Sequence, residues 1–76
     1  MNNIRRKNLN SIFARLEELR DELEALSDEE QEYYDNMPEG IQFSERGEKS
    51  AEAINNMQSA IEYIDEACNC IEEATA

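Results

Sequence analysis

Apolar residues recur along this chain at alternating steps of three and four. With a heptad begun at Leu9, the a and d positions are Leu9, Ile12, Leu16, Leu19, Leu23, Leu26, Glu30, Tyr33 and Met37, and eight of the nine are apolar or aromatic. A second run places Ile54, Met57, Ile61, Ile64, Cys68, Ile71 and Thr75 at a and d, six of the seven apolar when Cys counts as a small hydrophobe. A 3.5-residue repeat kept over this length predicts two helices wound into a left-handed supercoil. The segment between them, Met37 to Gly47, holds the only Pro and both Gly. Pro38 pushes Met37 out of the helical region, and Ser44 is placed to cap the second helix, with Glu45 and Glu48 near its positive end. The prediction is an all-α, antiparallel two-helix coiled-coil hairpin in one domain, residues 1–76. Its first helix spans about 3–36, its turn about 37–43 and its second helix about 44–75. Ser27-Asp28-Glu29-Glu30 has the spacing of a capping box, so a break near Ser27 stands as the alternative to a continuous first helix.

The second helix has apolar character beyond a and d. Ala53, Ala60, Ala67 and Ala74 occupy g at seven-residue spacing, and the neighbouring c positions include Tyr63 and Cys70. The first helix adds only Phe13 and Tyr34, at e. An arc this wide exceeds what one partner helix covers, and small residues let another backbone come close. These six residues are candidate self-association positions, through which a homodimer forms a four-helix bundle. The plainer alternative is that Ala, the best helix former, fills a half-exposed strip.

Composition narrows the function. The 76 residues carry 19 Asp and Glu against 7 Lys and Arg, a net charge of -12, with no His. Such a chain is repelled by nucleic-acid phosphates and anionic membranes. It also lacks the commonest general base and metal ligand. No apolar run reaches the roughly 20 residues of a membrane span, and the start of the chain has no uninterrupted apolar segment of the signal-peptide kind. Cys68 and Cys70 point apart on a helix and read as free thiols, so a reducing, cytoplasmic setting is expected. Two thiols with no His do not complete a tetrahedral metal site. The pairs Glu29/Glu32 and Glu62/Asp65 resemble in spacing the acidic helix motifs with which all-α nucleotide pyrophosphohydrolases hold Mg²⁺. In the heptad they fall at g and c and at b and e, which do not converge. No catalytic, metal or cofactor residues are assigned, and the chain is expected not to be an enzyme.

Charge position matters more than the total. Antiparallel folding is expected to bring Arg5, Arg6 and Lys7 beside Glu72 and Glu73. Glu30, the one acid on the seam, is expected to meet a polar group such as Arg46 or Lys49. Nine acids crowd between Asp21 and Glu39 with no base among them, and Asp21, Asp28 and Asp35 repeat at f. If helical, this is about one charge per 3 Å, close to the spacing along one DNA strand. Asp21, Glu24, Asp28, Glu32 and Asp35 are therefore a candidate surface for a protein partner with a basic surface. The alternative is a solvated face that keeps the protein in solution.

The stretch from Asp28 to Glu48, with its Asp35-Asn36-Met37-Pro38-Glu39 turn and Ser44-Glu45-Arg46 helix start, resembles short acidic helical-hairpin proteins encoded by phages and mobile elements of Gram-positive bacteria. The resemblance implies an origin and an architecture and carries over no site residues. The expected function is nonenzymatic protein–protein binding. An inhibitor that mimics DNA against a host nucleic-acid-binding defence protein and a passive structural assembly element are the alternatives.

Overall fold

In the computed structural model, which describes residues 1–76, α1 runs Asn3–Asp35 without a break. Asn2 caps it, its side-chain oxygen accepting from the Arg5 N–H at 2.8 Å. Ser27 starts no new helix. It is the most buried side chain in the molecule, at 1% exposure, and its hydroxyl accepts from Gln58 Nε2 at 2.7 Å.

The helix ends at Asp35, with Asn36 as its C-cap ahead of Pro38, but the link is more ordered than a plain turn. A single helical turn, α2, spans Glu39–Gln42, and the Pro38 carbonyl accepts from the N–H groups of Ile41 and Gln42 at 2.9 and 3.0 Å. α3 then runs Glu45–Thr75. Ser44 stands at its N-cap with Glu45 and Glu48 in the first turn, yet the Ser44 hydroxyl turns back and donates to the Ile41 carbonyl. It ties α3 to α2 instead of capping α3.

The two long helices pack against each other as a hairpin 58 Å long and 15 by 13 Å across. On α3 the seam lies where the repeat puts it, with Ile54, Ile61 and Cys68 buried at a and Met57, Ile64 and Ile71 half-buried at d. On α1 the seam is rotated. The half-buried and buried residues are Leu9, Leu16, Leu23 and Glu30 at a, continued by Met37 just beyond the helix, together with Arg6, Phe13, Arg20, Ser27 and Tyr34 at e. The d residues expected inside lie exposed instead, Leu19 at 54% and Leu26 at 56%. The physical reason is that Arg20 and Ser27, polar at e, find partners across the seam. Arg20 Nε donates to Asp65 Oδ1 at 2.6 Å, and Gln58 reaches Ser27. Steps of four and three carry the 3.5-residue period as well as steps of three and four, so e replaces d with no loss of repeat.

These polar links also set the register. Arg20 lies level with Asp65 and Ser27 with Gln58, so Thr75 comes level with Asn10 and about the first two turns of α1 overhang the end of α3. The expected pairing of Arg5, Arg6 and Lys7 with Glu72 and Glu73 does not form. The only ion pairs join Arg20 to Asp21, Glu24 and Asp65, and Lys49 to Glu45. Glu30 meets neither Arg46 nor Lys49. It accepts a hydrogen bond from the Ser50 hydroxyl at 2.5 Å, while Arg46 donates to the Tyr33 hydroxyl at 2.7 Å and lies over the Tyr33 ring.

Candidate self-association face

Rotating the α1 seam toward e turns its d stripe out to one flank of the hairpin. That stripe is Ile12, Leu19, Leu26 and Tyr33, one large apolar or aromatic residue in every heptad, between 39% and 56% exposed. The contact of Tyr33 with Arg46, a g residue, shows which side of α3 it adjoins. It adjoins the g stripe, where Ala53, Ala67 and Ala74 are exposed and Ala60 is half-buried. In the register above, Leu19 is level with Ala67 and Leu26 with Ala60 to within a residue.

The result is a face two helices wide, with large residues on one side and small ones on the other. Tyr63, at 70% exposure, and Cys70, also exposed, continue it around α3 at c. Every Asp and Glu of α3 falls at b, e or f, so its a, d, g and c arc carries no negative charge. In a chain of net charge -12 that is a pronounced segregation. At the loop end the face meets a shallow groove lined by Tyr33, Asn36, Met37, Pro38, Ile41 and Arg46.

All six sequence-derived self-association residues belong to this face. The α1 stripe beside them was missed, because its leucines had been assigned to the seam. The signal that could have revealed it was the aromatic pair Phe13 and Tyr34 at e, which marks e as an inward position.

The opposite flank is polar. Arg20 bridges to Glu24 at 2.8 Å as well as to Asp65, and its guanidinium is held above its ordinary value first by the Asp65 hydrogen bond and then by the Asp65 charge. Nearby, the Cys68 thiol is pushed up, chiefly by burial and next by the charge of Glu17. Asp65 is thus committed to an ion pair, well apart in role from Glu62, which is exposed. No group of three or more His, Cys, Asp and Glu comes together as a metal site.

Asp21, Glu24, Asp28, Glu32 and Asp35 are all exposed, but they are not all uncompensated. Arg20, one residue before the acidic run, pairs with Asp21 and Glu24, and Asp35 accepts from Gln31 Nε2 at 2.9 Å. The acidic stretch free of cations begins at Asp28.

No protein-family model, curated protein or solved structure matches the chain. No helix is long and apolar enough to cross a membrane.

Proposed function

We propose that this chain is a nonenzymatic acidic protein that acts by protein–protein binding, pairing with a second copy into a four-helix bundle and offering its acidic stripe to a partner with a basic surface. One observation carries the pairing: Ile12, Leu19, Leu26 and Tyr33 stand exposed beside an α3 arc that has no acid. The patch extends about 33 Å at 1.5 Å per residue and two helix diameters across, on the order of 650 Å² per copy. Isolated proteins rarely leave so large a contiguous apolar surface to water, and a standard interface covers about 800 Å² per partner. A thin hairpin with one seam also gains most from a second.

Sedimentation at tens of micromolar tests the pairing. The expected result is a dimer that becomes a monomer of unchanged helicity when Leu19→Asp or Ala60→Glu is introduced. A strict monomer in the unaltered chain overturns it.

A second reading, a DNA-mimicking inhibitor of a host defence protein encoded by a phage or mobile element, draws on the f stripe. Asp21, Asp28 and Asp35 are exposed in one line along α1. Such a partner is released by rising salt and is lost on changing all three to Asn. Binding that survives both changes counts against mimicry.

A further inference from the structure

Self-association leaves open how the second copy lies. Two twofold arrangements bury the same face: one sets both loops at the same end, with α1 against the partner's α3, and the other sets the loops at opposite ends, with α1 against α1 and α3 against α3. Resting on the self-association reading above, we infer that the second copy docks with its loop at the opposite end, about a twofold axis that crosses the hairpin between Leu19 and Leu26.

Three observations bear on this orientation: charge and the overhang favour it, and the register admits it. The first is charge. Arg5, Arg6, Lys7 and Arg15 all lie in the first half of α1 and have no carboxylate within 4 Å, while Asp28, Glu29, Glu30, Glu32, Asp35 and Glu39 follow one another with no base among them. Loops at the same end would set the two loop halves, each net -9 over residues 23–62, side by side. Loops at opposite ends set each open half, net -3 over residues 1–22 and 63–76, against the partner's loop half, net -9 over residues 23–62. Specifically, Arg15, whose guanidinium has only the Ser11 carbonyl at 3.5 Å, comes level with the partner's Glu29, and this happens twice in the dimer.

The second is register. The midpoint between Leu19 and Leu26 is level, to within a residue, with the midpoint between Ala60 and Ala67. One axis therefore serves both stripes. Leu19 meets the partner's Leu26, and Ala60 meets the partner's Ala67.

The third is the overhang. The first turn of α1 projects beyond α3 with Ile4 at 73% exposure. In the opposed arrangement it comes beside the partner's loop end, where Tyr33, Pro38 and Ile41 line the groove. The arrangement has one unfavourable contact, Glu22 beside the partner's Glu22 at the axis, against the two Arg15 pairs.

Crosslinking separates the orientations. In a Cys70→Ser background, with Cys68 buried, Glu22→Cys is expected to join copies through a disulfide or a short bismaleimide, giving a covalent dimer. A mixture of Leu19→Cys and Ala67→Cys copies is expected to give none beyond that of the unmixed controls. Crosslinking in the mixture but not with Glu22→Cys overturns the orientation and leaves self-association standing. A monomer by sedimentation removes both.

A charge swap gives a readout that needs no cysteine. Arg15→Glu is expected to raise the dimer Kd about threefold to tenfold, the scale of two exposed ion pairs, and adding Glu29→Arg to bring it back within about twofold of the original. A double variant no tighter than Arg15→Glu alone overturns the pairing.

Discussion

At Gly47 the backbone of α2 lies against the first turn of α3. A Cβ added there would sit 2.1 Å from the Gln42 carbonyl oxygen, and since the neighbour is backbone it cannot swing aside. Gly47→Ala is therefore expected to lower stability by about 1–3 kcal/mol in urea melts, the range for overpacking a tight site. Gly40→Ala, which meets open space, is expected to be neutral or slightly stabilising. The two cysteines give a second test. Burial, reinforced by Glu17, Asp65 and Glu72, raises the Cys68 thiol from its ordinary 9.0, so the folded state favours the neutral form. That contribution to stability is present in full below pH 9.0 and is lost as pH rises through the folded value. Alkylation near pH 8 is accordingly expected to modify exposed Cys70 readily and Cys68 only when the seam opens. Equal rates at the two thiols would contradict the burial.

Leucines that look equivalent in the heptad have different environments along α1. Leu16 and Leu23 are half-buried on the seam, whereas Leu19 and Leu26 face outward. Leu23→Ala is expected to lower monomer stability by about 1–2 kcal/mol, part of the cost of a fully buried leucine, as measured by thermal melts at low concentration. Leu26→Ala is expected to leave that melt nearly unchanged and to weaken association. Equal effects in the dilute melt would restore the a and d seam. The two long helices, their hairpin pairing and the link around Pro38 were legible in the sequence, since periodicity, Pro and Gly determine them. The rotation of α1 was not. Arg20 and Ser27 look like solvent-facing residues until Asp65 and Gln58 are seen across the seam to satisfy them. The turn of α2 was hidden for a similar reason, because it depends on a carbonyl at Pro38 and not on any side-chain pattern. Helix electrostatics add a further clue. α1 has no acid in its first turn and no base in its last, and its bases lie toward the N-terminus, opposite to what its dipole favours. Its charge order is poorly suited to an isolated helix and well suited to an opposed neighbour.

Over the whole molecule, 19 acids on a rod 58 Å long repel one another more than 7 bases can offset. Raising salt from low to physiological strength is expected to raise the thermal midpoint, as screening acts over about 10 Å. A midpoint that falls would show that the few ion pairs, led by Arg20 to Asp65, outweigh the general repulsion. The placement of the d and f stripes of α1 has a consequence for valency. Two residues apart on a helix, they point about 160° away from each other. Copies joined through d thus turn their Asp21, Asp28 and Asp35 lines to opposite outer sides of the bundle. Such a dimer can hold two partners at once without their touching, and a target that itself presents paired basic grooves would be gripped by avidity as well as by charge.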